Sequence, residues 1–500
     1  MHVFALLSWP FYATIVGIKL CLLLPLLWKW KYPLSTIPGP RMAAWTRLWW
    51  SKTMYFGRSA EVLIRLNREY GPVVRIGPKT VIVNDPHTIR RVLAVNSGYV
   101  RGPWFDSLRT DPRVSNVVSE RDPKKHQQCR QILAGAIWMT LLDEQQRSSK
   151  ESKSEFRLNL SKVLPYLSMD IITHICIDES FGNVMTDTDQ YELLKTLTTA
   201  MVVQQYRASL PELNTLLLWI GRLPMLRDVM YPSANSPGGL GQLMQILEEK
   251  VRQKTAATHT QSQTRNMLDS FLSKGLDTGH AASEVLVVLF SAVGATAYTL
   301  QGIIRGIISN PSVHLTLQRE IDMLVRDQGV GASDLVSDTP LRRIPYLQAC
   351  ISEGVRMYPV ITQLREQVVP PEGDNLHGYF VPGGTFVALN GHSSQFDPTF
   401  GNDLELYQPE RWLIDDRILL TKMQRNLDLN FGYGSSKCLG ANLAEIEMNK
   451  TIFELFRIYS VVLGNPERPW VSRGDFVLAD FNVILTKRSP HGQTNGVSCS

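Results

Sequence analysis

Between Val3 and Trp28 nearly every position is apolar, and the run closes on Leu22-Leu23-Leu24-Pro25-Leu26-Leu27-Trp28. As a helix rising about 1.5 Å per residue, such a run crosses a hydrocarbon layer of ~30 Å. Residues 1–28 are therefore expected to form an N-terminal membrane anchor, one transmembrane helix. A cleaved secretory signal fits less well, because no positive charge precedes the run and no small-x-small site follows it. Lys19 costs about 2–3 kcal/mol within the span unless it snorkels. Lys29, Lys31, Arg41 and Arg47 follow directly, and the positive-inside rule places the rest of the chain in the cytosol. Residues 29–40, with Pro33 and Ile37-Pro38-Gly39-Pro40, read as a basic, proline-rich extended hinge, since proline fixes its own φ and restricts the residue before it. The globular body is expected over 41–500.

In the body the pattern changes. Short β-like runs at 73–76 and 80–84 flank Gly77-Pro78, a turn signal. From about 124 to 327 the periodicity reads mostly as helix, interrupted by a polar surface connection at 253–265. Residues 285–304 are twenty positions without a charge, which invites assignment as a second membrane span. Gly294, Gly302 and several Ser, Thr and Gln residues break the run, and charged soluble sequence continues beyond it. A helix apolar on all sides also suits the centre of a large domain, and that is the reading adopted. No internal repeat or low-complexity tract is present.

Composition narrows the function. With 500 residues and 44% hydrophobic content the chain can bury a large core. The net charge of +6 is spread along the length, with no dense Lys/Arg block of the kind that tracks nucleic acid. Nucleic acid is thus not an expected partner, while an anionic membrane surface or an acidic protein suits the balance. Six cysteines occur without any C-x-x-C, so neither a zinc cage nor a disulfide framework is indicated, and a reducing, cytosol-facing location fits. The sequons at Asn159 and Asn449 are then chance matches.

The densest chemical signal is Phe431-Gly432-Tyr433-Gly434-Ser435-Ser436-Lys437-Cys438-Leu439-Gly440. Glycines two apart permit a tight loop. Leu443, Ile446, Ile452, Phe453 and Phe456 then mark the inward face of a helix. A cysteine at that helix's N-terminus meets free N–H groups that favour thiolate, the form that ligates metals. A lone cysteine is usually a small buried hydrophobe, but a core cysteine gives no reason for the surrounding glycine and phenylalanine pattern. The other five cysteines keep the ordinary reading.

These residues resemble the haem loop of the cytochrome P450 superfamily, F-G-x-G-x-R-x-C-x-G, at Phe431, Gly432, Gly434, Cys438 and Gly440. Ser436 stands where the family has an arginine for a haem propionate. Glu353-Gly354-Val355-Arg356 is similar to the family's E-x-x-R, whose i,i+3 spacing puts carboxylate and guanidinium on one helical face. Pro409-Glu410-Arg411-Trp412 resembles the P-E-R-F/W segment, whose arginine joins that pair. The resemblance gives Glu353, Arg356 and Arg411 a structural role, one carboxylate gripped by two forked guanidiniums. It gives His126 and Arg130, four apart, the W/H-x-x-x-R grip on a propionate. A further propionate arginine is expected after E-x-x-R, where ungapped counting gives Gln367, with Arg365 two residues earlier.

The central helix departs from the pattern. Against A-G-x-D/E-T-T, this chain has Ser291-Ala292-Val293-Gly294-Ala295-Thr296. The acid position is Gly294, the first threonine position is Ala295, and only Thr296 is present. Proton delivery by an acid–alcohol pair is not available as such, which leaves water, a substrate hydroxyl, or Thr296 in a shifted register.

The resemblance covers essentially the whole body. It implies a mainly α fold with a small β-rich lobe, and haem b held between the central helix and the Cys438 loop. The implied reaction inserts one oxygen atom into an apolar small molecule, with electrons from NADPH through a membrane-bound cytochrome P450 reductase docking near Lys437. A microsomal b-type cytochrome is a second candidate donor. Membrane lipid is the remaining partner, and the implied location is the endoplasmic reticulum membrane, single-pass, with the body facing the cytosol. Pocket walls are expected at 99–118, 201–232, 290–299 and 360–364. Met169-Asp170-Ile171-Ile172-Thr173 and 409–413 look most like fungal secondary-metabolism members. A haem-thiolate isomerase or dehydratase, an oxidative-coupling or desaturating enzyme, and a non-catalytic haem-binding protein remain as alternatives.

Overall fold

The computed structural model describes residues 33–488 apart from 56–58, 110–111, 114, 131–154, 224–238, 258–265, 332–333, 335, 360–363, 468–470 and 474–476. The anchor expected over 1–28 and the start of the hinge lie outside the described residues, as do most of the pocket wall at 360–364 and residues 258–265 of the connection read over 253–265, whose first five residues instead close the helix Gly239–Ala257. The described part of the hinge coils once, as a 3₁₀ turn at Pro33–Thr36, before running extended through Pro38. A proline suits the first position of a helical turn, where its missing N–H is not needed. Leu34 and Ile37 are buried against the first sheet. The Arg75 N–H donates to the Pro38 carbonyl at 2.7 Å, and Arg75 Nη1 donates to that of Leu34 at 3.2 Å. The segment is strapped down.

Strands β1 (Val73–Gly77), β2 (Thr80–Val83), β3 (Val100–Arg101), β5 (Arg365–Val368) and β8 (Phe386–Leu389) form a sheet in the order β1-β2-β8-β5-β3. The β1–β2 hairpin expected from the sequence is present, antiparallel, with Val73 opposite Val83. β4 (Glu155–Asn159) and β9 (Tyr459–Leu463) flank β12 (Asn482–Lys487) in a second sheet. β6 (Asp374–Leu376) with β7 (Tyr379–Val381), and β10 (Val471–Arg473) with β11 (Val477–Ala479), are two-stranded. β4 interrupts the stretch read as helix. Its alternation brings Phe156 and Leu158 onto the core, and the strand that pairs with it lies more than 300 residues on, beyond any local window.

One-turn helices aside, the helices are α1 (Leu48–Tyr55), α2 (Ser59–Tyr70), α3 (Pro86–Leu93), α4 (123–130), α5 (Leu160–Ile177), α6 (Leu193–Ser209), α7 (Pro211–Ile220), α8 (Gly239–Ala257), α9 (Met267–Ser273), α10 (Thr278–Ile308), α11 (Pro311–Gln328), α12 (Pro345–Met357), α13 (Arg417–Leu427) and α14 (Ala441–Ile458). α10 contains the uncharged run and is the buried central helix. Asp277 caps it, its carboxylate accepting the Gly279 and His280 N–H groups at 3.0 Å. α5 and α10 are each long and apolar enough to cross a membrane. Both are instead mostly enclosed by the body, packed on each other and, for α10, on α8, α12 and α14. Burial of this kind is what an all-round apolar helix requires in water.

The two sequons sit in structural roles. Asn159 caps α5, its side chain accepting the Ser161 N–H at 3.0 Å. Asn449 is buried, donating to Asp338 Oδ1 at 2.8 Å and accepting from Gln348 Nε2 at 3.0 Å. A glycan on Asn449 would break both bonds. Glycosidase treatment of the protein purified from its native host is expected to leave its electrophoretic mobility unchanged; a shift abolished by Asn449→Gln would contradict this packing.

Candidate active site

The loop before α14 is set by two glycines in the left-handed region, Gly432 at φ +77° and Gly434 at φ +57°. A Cβ at Gly432 would lie 2.4 Å from the Ser436 carbonyl oxygen, and one at Gly434 would lie 2.4 Å from that of Leu93. Both positions need glycine for conformation and for space. Gly440 has φ −89° and open space where a Cβ would project, so its backbone makes no such demand. The Cys438 N–H donates to the Phe431 carbonyl at 2.6 Å and closes the loop, while the Phe431 ring packs on the core.

Cys438 differs electrostatically from its fellows. Its side chain is accessible although protein surrounds most of it, as in a concavity. Burial pushes its thiol pKa up, but the Gly440 N–H, the Arg130 and Arg365 guanidiniums and the Ala441 N–H all act the other way. Cys176 is raised by burial with nothing opposing it. Cys350 is raised by burial and then by neighbouring carboxylates. Cys21 and Cys499 fall outside the described residues. Cys438 alone among the described cysteines has cations aimed at it, the arrangement that favours a thiolate.

Those cations come from two elements, and a third arginine lies beside them. Arg130, on α4, donates from Nη1 to the Lys437 carbonyl at 2.5 Å. Arg365, on β5, is half-buried, and its Nε meets no acceptor among the described residues. Arg101, on β3, opposes Gln367 of β5 and feels the charges of both Arg130 and Arg365. Burial, then Arg130 and Arg365, lower its pKa to about 10. His126 lies buried beside them, its pKa driven down to about 3 by burial and by Arg101 and Arg130, so the ring is neutral. None of the three arginines forms an ion pair among the described residues. Gln367 shares a face of β5 with Arg365, is 5% exposed, and leaves its Nε2 without an acceptor. The Lys437 ammonium is exposed beside Asp428, so the residue engages the cluster through its carbonyl. Half-buried cations without an ion-pair partner among the described residues, and an orphaned buried amide donor, fit a bound group with an anionic edge.

On α10, Gly294 faces the end of a flexible side chain. A Cβ at Gly294 would lie 2.8 Å from Met201 Cε of α6 and 3.5 Å from the Tyr298 ring. Tyr298 in turn is hydrogen-bonded to Thr198, also on α6. A side chain at 294 therefore has to displace the free end of Met201, which can yield. Thr296 is buried, and Thr299 Oγ1 donates back to the Ala295 carbonyl at 2.9 Å. Ser291 is exposed on a helix that is otherwise largely buried, its hydroxyl donating to the Val287 carbonyl at 2.8 Å.

Glu353, Arg356 and Arg411 meet as the resemblance implied. Glu353 is fully buried and accepts from Arg356 Nε (2.9 Å) and Nη2 (2.8 Å), Arg411 Nε (3.0 Å), the Gln408 N–H (3.1 Å) and Trp412 Nε1 (2.9 Å). Asn430 Nδ2 donates to the Val355 carbonyl at 3.1 Å, joining this helix to the Cys438 loop.

The family model described as Cytochrome P450 matches residues 38–482. The chain belongs to the cytochrome P450 family. It is similar to "Cytochrome P450 monooxygenase aba1" from Botryotinia fuckeliana, 30% identical over 480 residues, 91% of this chain and 92% of that protein. It is 29% identical to "Cytochrome P450 monooxygenase abl1" of Leptosphaeria maculans, over 87% of this chain and 79% of the relative. "Pisatin demethylase" of Fusarium vanettenii is 26% identical, over 91% and 89%. As a cytochrome P450, the protein is an oxygenating oxidoreductase of a haem-thiolate family that works with a redox partner on small molecules. The cation cluster and the Cys438 loop fit that haem. Arg101 was not visible from the sequence: it sits in a two-residue strand, outside any motif, and only sheet pairing brings it to Arg365.

Two outcomes follow for the P450 scaffold. Glu353→Ala strands two guanidiniums and is expected to cost about 3–5 kcal/mol, read in denaturant unfolding. Gly294→Ala gains about 1 kcal/mol of helix propensity against about 1–3 kcal/mol of overpacking. The overpacking meets only the free end of the flexible Met201 side chain, so Tm should not fall in either the unaltered or a Met201→Ala background; a fall confined to the protein that keeps Met201 would show that Met201 cannot yield.

Proposed function

We propose that the protein is a membrane-anchored haem-thiolate monooxygenase that oxidises an apolar small molecule in fungal secondary metabolism, with Cys438 Sγ as the axial ligand of haem b. The observation that carries this reading is the convergence of Arg130 and Arg365, neither in an ion pair among the described residues, on the loop that presents Cys438, with Arg101 beside them. Two propionates are the counter-charge such a cluster needs. Arg130 and Arg365 would hold them, with neutral His126 packed beside and Arg101 completing the set from β3. When bound, the haem iron supplies oxygen activation, and thiolate donation assists O–O cleavage.

The chain supplies what surrounds that chemistry. The Gly440 and Ala441 N–H groups, at the start of α14, hold negative charge on sulfur. Glu353, Arg356 and Arg411 fix the segment that leads to the loop. The Thr296 hydroxyl is the alcohol left on α10 near the acid position, and protons otherwise arrive by water or substrate hydroxyl. Electrons come from NADPH through a flavoprotein reductase, for which exposed Lys437 offers a positive docking point; a b-type cytochrome could share that face. Residues 1–28 would anchor the chain in the endoplasmic reticulum membrane as a single pass, with the body in the cytosol. That a relative is named for demethylating pisatin supports an apolar small-molecule substrate.

The Met201 seat at Gly294 favours one second reading: peroxide rearrangement by a haem-thiolate isomerase or dehydratase, which needs no acid–alcohol proton delivery. Consumption of NADPH and O₂ with added reductase separates the monooxygenase from turnover on an organic peroxide alone. For the ligand itself, the reduced, carbon monoxide-treated protein is expected to show the red-shifted thiolate band. Cys438→Ala should abolish that band while Cys129→Ala and Cys350→Ala keep it. An imidazole-type spectrum in the unaltered protein would overturn the assignment.

A further inference from the structure

Ten positions before Gly294 on α10, Glu284 is 4% exposed. Its Oε1 accepts the main-chain N–H of Val117 at 2.8 Å, and its Oε2 meets no donor among the described residues. Burial pushes its pKa up to about 7, with the Val117 N–H and His280 acting the other way. An enclosed carboxyl with one oxygen unsatisfied is costly, and nothing in the chemistry assigned so far uses it.

What Glu284 holds is a compact turn. Asn116 Oδ1 accepts the Val118 and Ser119 N–H groups at 3.1 and 2.9 Å, and the Glu120 N–H donates to the Asn116 carbonyl at 2.9 Å. The outward carbonyls of this turn are gripped from the opposite side. Arg101 Nη1 donates to those of Val117 (3.2 Å), Val118 (3.0 Å) and Glu120 (3.0 Å). The same Arg101 belongs to the cation cluster around the Cys438 loop. A continuous hydrogen-bonded chain therefore runs from α10 through Glu284 and the turn to the Arg101 guanidinium.

We propose that Glu284 is a positioning residue: by fastening the 116–120 turn to the central helix, it holds the Arg101 guanidinium in the cluster that faces the haem propionates. The proposal rests on the reading of the Cys438 site. Arg101 directs Nη1 at three carbonyls of one turn, so its orientation follows the turn while its other nitrogens are left to face the cluster. The turn's own internal bonds make it move as a unit. Releasing the Val117 N–H from α10 would let the unit shift and carry Arg101 away from the haem edge.

The test uses the full-length holoenzyme in detergent and follows haem transfer to excess apomyoglobin by absorbance, alongside thermal unfolding. Glu284→Leu, which cannot accept the Val117 N–H, is expected to speed haem loss roughly tenfold, the factor one unsatisfied buried donor carries. Glu284→Gln, which keeps an acceptor oxygen, should restore the rate to within about twofold of the unaltered protein. Arg101→Gln should lose haem at least as fast as Glu284→Leu, and the double variant no faster than Arg101→Gln alone. If Glu284→Leu does not accumulate, Glu284→Asp, one methylene short of Val117, replaces it with the same expectation. Normal haem retention in Glu284→Leu, or multiplicative rates in the double variant, would overturn the role of Glu284. Unaltered protein without a thiolate spectrum would instead overturn the reading of the Cys438 site, and this proposal with it.

Discussion

Glu353 is a carboxylate with no access to water. Such a charge is tolerable only when paired and saturated with hydrogen bonds, and here two guanidiniums, an indole and a main-chain N–H supply them. The same guanidiniums reach further: Arg356 donates to the Gln395 carbonyl at 3.0 Å and Arg411 to that of Phe400 at 2.6 Å. One buried charge therefore ties α12 to the whole course of chain from 395 to 412. Through Asn430 it also fixes the approach to the Cys438 loop. The place of the sulfur is inherited from that knot, which is why its members belong to the scaffold and not to the chemistry.

Around the sulfur the balance is reversed. Where Glu353 is over-satisfied, Arg101, Arg130 and Arg365 bring three positive charges to one locus where Glu120 is the one carboxylate acting on Arg101, and His126 is held neutral by burial and by Arg101 and Arg130. A protein keeps such an imbalance only where something else supplies the counter-charge. The cations lower the cost of a thiolate at Cys438 against the burial that raises it. On α10 the free end of Met201 lies where a side chain at Gly294 would project, so a longer residue there would have to move it.

Much of this was legible beforehand because it is local. Gly432 and Gly434 are demanded by φ and by carbonyl oxygens a few ångströms away, and a cysteine just before a helix is a matter of neighbours in sequence. The Glu353–Arg356 pair follows from helical spacing alone, and the central helix from its uncharged run. Position-by-position likeness singled out Arg411, which the structure joins to Glu353, and Arg130 and Arg365, whose charges act on Cys438.

What the tertiary structure alone decided are contacts between segments with no shared local pattern. β4 becomes a strand because β12, hundreds of residues later, offers it a ladder. Arg101 joins Arg365 through the pairing of β3 with β5. Gly294 meets Met201 where α6 crosses α10, and Glu284 finds Val117 across the body. Spacing along the chain fixes which side chains share a face or a loop. Which faces come together is chosen by packing the whole core at once, and that choice is written in no single stretch of residues.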